Sequence, residues 1–214
     1  MTELTLAEEV MLIALDDETG AGRSRPGLDL GVAGAVLMEL TALGRLELGA
    51  GSTLELKDTS DTGVAHLDAE LGKIAAEGGM KVAQALRKLR RSATEGAAES
   101  LVERGVLREE KARVLGVVPR RRYPEVDAAP EAEIRARLNA AVLDGAEPDE
   151  RTAVLVSVLD AARLRRQAFP GADRAPVKKR MEELAEGQWV GTAVRKEVVR
   201  QIAIIAAATS GGAH

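Results

Sequence analysis

Apolar side chains recur along this chain mainly with a helical period. Thr5-Leu6-Ala7-Glu8 has the form of a capping box, in which hydroxyl and carboxylate each meet a backbone N–H that the first turn leaves unpaired. Leu6, Val10, Met11, Ile13 and Ala14 then share one face, predicting a helix that runs to Asp16 and Asp17. A turn-rich stretch from Glu18 to Gly27 follows, and a second helix is predicted from about Leu28 to Leu43. At Gly44 the period changes to two. Arg45-Leu46-Glu47-Leu48 and Thr53-Leu54-Glu55-Leu56 alternate on either side of Gly49-Ala50-Gly51, which predicts a β-hairpin. A third helix is expected from about Val64 to Glu77 and a fourth from Met80 to Arg91. A fifth, capped by Ser92 or Thr94, should end at Gly105. Residues 106–123 repeat the helix–glycine–strand arrangement seen at Gly44, with Val114-Leu115-Gly116-Val117-Val118 reading as a compact apolar strand. The remainder reads as helices over about Pro130–Leu143, Asp149–Ala168, Ala175–Glu186 and Val190–Ala208.

These elements predict a mainly α fold, a compact helical bundle with small β-hairpins, and a single domain over residues 1–214. Tyr123, Phe169 and Trp189 are the only aromatic residues, so the core must come from Leu, Val, Ile and Ala, which suit closely packed helices. Heavy use of Ala, Gly, Arg and Val suggests a high-GC bacterial source.

Charge changes the picture. Residues 1–79 carry five basic and fifteen acidic side chains, whereas residues 80–122 carry twelve basic and five acidic. Such segregation attracts phosphate-bearing partners to one region of an otherwise acidic molecule. Met1-Thr2-Glu3-Leu4 lacks the features of a secretion signal. The apolar run Ile202–Ala208 is far shorter than the ~20 residues that cross a bilayer. A cytoplasmic protein touching membranes from outside is the expectation.

Catalytic chemistry finds little support. The chain has no cysteine, and its two histidines, His66 and His214, lie far apart in sequence. His66 has no nucleophile motif nearby and reads as a solvated helix residue. Glu8-Glu9 and Glu182-Glu183 are sequence neighbours, so each pair diverges on a helix. No enzyme, metal or cofactor is predicted. The basic runs carry more. Arg87, Lys88, Arg90 and Arg91 crowd the end of the predicted fourth helix, where cations also offset the helix dipole. Arg87 and Arg91 lie four apart on one face, with a repulsion that an anion relieves. Arg120-Arg121-Arg122 adjoins the apolar strand in the second hairpin region. That arrangement fits a solvated turn over buried core as well as a hairpin tip against anionic lipid.

Several segments in order resemble the Golgi phosphoprotein 3 family. They include Leu4-Thr5-Leu6-Ala7-Glu8-Glu9-Val10, the helix Gly31–Leu40, Gly44-Arg45-Leu46, Leu101–Leu107, Ala141-Val142-Leu143-Asp144 and the Arg165–Phe169 region. The resemblance implies a non-catalytic peripheral membrane adaptor with a flat basic face, binding phosphatidylinositol 4-phosphate or another anionic headgroup. The family's headgroup pocket uses a tryptophan and three arginines. One arginine maps onto Arg91; the tryptophan falls on about Ser24, and the other two arginines fall on Ala33 and Thr94. Each charge-assisted hydrogen bond to phosphate contributes about 1.5–3 kcal/mol, so replacing two arginines demands substitutes. Arg90, Arg87, Arg23 and Arg25 are the candidates around Arg91, with Arg120, Arg121 and Arg122 as a membrane-contacting hairpin. Other partners in view are a protein partner or a second copy of the chain in an oligomeric scaffold. A winged-helix-like nucleic-acid binder is disfavoured by the acidic residues 1–79 and by the lack of cations on Leu28–Leu43.

Overall fold

The computed structural model describes residues 3–15, 26–114, 118–186 and 193–210. It is mainly helical with small antiparallel β elements, as the apolar periodicity predicts. Helix α1 (Leu6–Ala14) opens on the expected capping box: the Thr5 N–H donates to Glu8 at 2.6 Å and the Glu8 N–H donates to the Thr5 hydroxyl at 3.2 Å. Helix α2 (Pro26–Ala42) is buried around nearly its whole circumference, with Leu30, Val32–Met38 and Leu40 shielded from solvent. It packs against α1, α4 (Val82–Glu103), α6 (Glu150–Ala161) and α9 (Ala193–Ser210). A helix enclosed in this way presents no face to a DNA groove.

The first sheet has three strands: β1 (Leu46–Leu48), β2 (Thr53–Leu56) and β3 (Met80–Lys81), all antiparallel. The predicted hairpin is its first two strands. The third pairs Leu54 with Met80 at residues expected to begin a helix. The helix–glycine–strand arrangement that recurs after Gly44 and Gly105 has a local cause. Both helices end with a glycine in the left-handed region, Gly44 (φ 69°) and Gly105 (φ 74°), closed by bonds from Arg45 N–H to Leu40 O and from Val106 N–H to Leu101 O.

Four expectations are corrected. The predicted fourth and fifth helices are one continuous helix, α4, because Leu89, Ala93, Ala97 and Leu101 keep a buried stripe running through Ser92 and Thr94. The predicted helix over Asp149–Ala168 breaks into α6 and α7 (Arg165–Ala168) at Arg163, whose φ is 59°. The two ends of the apolar stretch, Val114 and Val118, belong to different strands. Strand β4 (Glu110–Val114) ends at the first and β5 (Val118–Arg122) begins at the second, paired Val114 to Val118, with residues 115–117 outside the described set. Finally, His66, in α3 (Ala65–Ala75), is only 7% exposed. Its Nε2 stands 3.3 Å from the Thr5 hydroxyl, and burial holds its pKa below the usual histidine range against the opposing pull of Glu8.

The core runs from Leu6 to Ala206 and is built of aliphatic side chains, with Ala33, Ala35, Ala85, Ala93, Ala97 and Ala98 fully enclosed. Glycines bring backbones into contact on α2. A methyl added at Gly27 would stand 2.0 Å from the Ala162 carbonyl oxygen, and one at Gly34 would stand 2.4 Å from Ile202 Cδ1. Two carboxylates of α1 are buried and tie it to distant helices. Glu8 accepts from Ser100 at 2.7 Å and lies 3.5 Å from Arg104. Glu9 accepts from Arg137 at 3.0 Å and from Arg151 at 2.9 Å. The neighbours diverge, as adjacent helical residues must.

Candidate anion-binding face

The continuity of α4 changes what its cations mean. Arg87, Lys88, Arg90 and Arg91 sit in the body of a helix that runs on to Glu103, so the dipole of a helix end does not account for them. Leu86, Leu89 and Ala93 face the core, which leaves all four cations exposed. Lys88 is paired with Glu77. Arg87, Arg90 and Arg91 form no salt bridge among the described residues.

The start of α2 lies across from them. The Asp29 carboxylate accepts a 3.2 Å hydrogen bond from the Thr94 hydroxyl and feels the charges of Arg90 and Arg91. Burial nevertheless outweighs these partners and raises the Asp29 pKa above the usual carboxylate value. Asp29 is therefore a half-buried acid beside a row of exposed guanidinium groups, the residue of α2 that sequence reasoning missed. Ala33, one turn further on along the same side of α2, is fully enclosed and offers no charge. Arg23, Ser24 and Arg25 lie outside the described residues.

The hairpin arginines do not form a single free cluster. Arg121 lies 3.2 Å from Glu109 and 3.6 Å from Glu99 of α4, so it is balanced by carboxylates while remaining exposed. Arg122 is half-buried, and its Nε is enclosed with no hydrogen-bond partner among the described residues. Arg120 occupies β5 opposite Ala112. The contact between Arg121 and Glu99 joins the hairpin to α4 two turns beyond Arg91, about 12 Å along the helix axis. The basic surplus of residues 80–122 thus divides: Arg104 turns inward to Glu8, Arg108 pairs with Glu110 at 2.8 Å, and the α4 trio remains outside.

A profile of the Golgi phosphoprotein 3 family (GPP34) matches residues 6–201. The chain belongs to that family. The match takes in α1 through the first half of α9, including both hairpins and the arginine face of α4. No curated protein matches the chain. In this Golgi phosphoprotein 3 family member, no helix among the described residues is long and apolar enough to cross a membrane. Nor does any group of three or more acidic or histidine side chains among them stand where it could hold a metal ion.

Proposed function

We propose that this protein is a peripheral membrane adaptor that binds an anionic lipid headgroup on the α4 face, without catalysis. The observation that carries the reading is the row of Arg87, Arg90 and Arg91, exposed and without a salt-bridge partner among the described residues. Guanidinium groups left uncompensated in a molecule of net charge −4 repel one another and gain from a phosphate placed between them. Arg91 is the position that resembles the family's headgroup arginine, and Thr94 and Asp29 complete the surroundings. Asp29 opposes a phosphate at close range, which fits a site altered from the phosphatidylinositol 4-phosphate pocket. Family membership supports an adaptor role, with a protein partner held at the membrane surface. The β4–β5 hairpin supports the membrane contact. The sequence between its strands holds Leu115 and Val117, β5 carries Arg120, Arg121 and Arg122, and the hairpin is braced against the same helix.

Flotation with liposomes tests the proposal. Vesicles containing anionic phospholipid or phosphatidylinositol 4-phosphate should carry the protein upward, and neutral vesicles should not. The pair Arg87→Ala and Arg91→Ala should weaken binding at least about tenfold, since one charge-assisted hydrogen bond contributes ~1.5–3 kcal/mol. Asp29→Asn should strengthen it by removing a like charge. Unchanged flotation in the double variant sinks the assignment to α4.

A further inference from the structure

A second basic surface lies on the opposite side of α2. Gly27 and Gly31 face Ala162 at the end of α6, whereas Asp29 faces Thr94 of α4. Two residues along a helix differ by about 200°, so these are opposed faces. Beyond Ala162 a cleft of about 1030 Å³ opens where α6, α7, α8 (Arg174–Glu186) and α9 meet, a size suited to an organic ligand. Its walls carry five cations, Arg163, Arg165, Arg166, Arg174 and Lys178, and among the described residues the carboxylate of Asp160 lines it with them.

These cations are not equivalent. Arg165 is held between Asp160 and Glu182, with the second contact at 3.1 Å, and so acts as a fixed wall. Lys178 leans toward the same Glu182 at 3.8 Å. Arg166 and Arg174 are exposed and have no salt-bridge partner among the described residues. Arg163 is informative for another reason. The end of α6 is closed by bonds from Arg163 N–H to Asp160 O and from Leu164 N–H to Leu159 O, the same closure that Gly44 and Gly105 make elsewhere in the chain. Here the left-handed position is taken by arginine at φ 59°, and such a conformation is costly for a residue with a Cβ. The side chain that position carries lines the cleft.

The floor is apolar. Phe169, Val177, Ala161 and Ala203 line it, and Ala207, one turn beyond Ala203 on α9, is exposed too. Apolar surface therefore leads out of the cleft along the last helix. Forked guanidinium donors match phosphate oxygens, and an aliphatic and aromatic floor matches a carbon skeleton attached to them.

We propose that this cleft is a binding site for a phosphate ester whose organic part is apolar, distinct from the headgroup face on α4. The ester comes either from a lipid or from a soluble molecule, and the chemistry of recognition is the same for both.

The test titrates the full chain with inorganic phosphate, phenyl phosphate and dihexanoyl phosphatidic acid below its micelle concentration, following the amide resonances of Phe169 and Arg174. Both esters should bind about tenfold or more above inorganic phosphate, the equivalent of two buried methylene groups. Tighter binding of phosphatidic acid assigns the cleft to a lipid, and tighter binding of phenyl phosphate assigns it to a soluble ester. Arg166→Glu with Arg174→Glu should abolish these shifts while leaving the thermal melt unchanged, since both side chains are exposed. The Arg87→Ala, Arg91→Ala variant should titrate as the parent does. Three outcomes overturn the proposal: no shift with either ester, esters no tighter than phosphate, or parent-like binding in the charge-reversed variant. Binding lost only in the α4 variant also overturns it and returns the ligand to the other face.

Discussion

Replacing Glu9 by Gln should cost about 3 kcal/mol of folding stability. Glu9 is 3% exposed, and its Oε1 accepts from both Arg137 Nη2 at 3.0 Å and Arg151 Nε at 2.9 Å. Glutamine preserves the shape but offers two guanidinium groups a neutral acceptor. Each bond then falls from the ~1.5–3 kcal/mol of a charge-assisted contact toward the ~1 kcal/mol of a neutral one. The new amide nitrogen sits at or beside the place of Oε2, which has no hydrogen-bond partner among the described residues and offers the amide little to donate to. Leaving that donor unsatisfied adds about 1 kcal/mol. The sum agrees with the ~3–5 kcal/mol typical of breaking one side of a buried ion pair. For a domain of this size it corresponds to a fall of roughly 6–12 °C in Tm. Urea denaturation followed by far-ultraviolet circular dichroism measures it. Glu183→Gln serves as the control, because its contacts with Lys179 and Arg180 are long, at 3.8 and 3.7 Å, and its side chain is half-exposed, so it should change stability by less than about 0.5 kcal/mol. A loss below about 1 kcal/mol for Glu9→Gln refutes the view that α1 is anchored to α5 (Ala129–Val142) and α6 through this carboxylate.

Two further outcomes follow from the geometry. Gly27→Ala places a methyl 2.0 Å from a backbone oxygen that cannot rotate away, so α2 must shift and stability should fall by at least about 2 kcal/mol in the same denaturation assay. The Glu197 carboxyl is pushed down to about 2, first by its bond to Arg200 and then by Gln201, so a carbon-detected titration should show it ionised well below the usual range. A depressed acid stabilises the fold above its unfolded value and loses that contribution as pH falls toward 2. Arg200→Ala should move the Glu197 midpoint upward and flatten this acid-side loss.

The helical architecture was legible because its cause is local: apolar residues repeat on one face and the capping box sits at its start. What misled were residues whose local preference was outvoted. Ser92 and Thr94 are good caps, yet each finds a partner inside a continuing helix. Thr94 bonds back to the Arg90 carbonyl at 2.8 Å and across to Asp29, while Ser92 reaches Glu70 at 3.1 Å. The break after α6 carries no glycine or proline to announce it, since an arginine takes the left-handed residue. Strand β3 has only two residues and exists because β2 lies beside it. His66 looked exposed because nothing in its own segment shows that Thr5 and Gly96 close over it. The candidate site divides the same way. The cations of α4 were visible as a charge run, but the role of Asp29 depends on a hydrogen bond to a residue 65 positions away. The cleft beside Arg163 draws on four helices.

The glycines of α2 limit how this chain can change. Where backbones touch with no room for a methyl group, the arrangement of the central helices tolerates almost no revision, because any larger residue meets main chain or a packed neighbour. The outer surface of α4 is under no such constraint, and cations there can be exchanged one at a time without disturbing the interior. The charge displayed on α4 can therefore be rewritten while the shape that carries it stays the same.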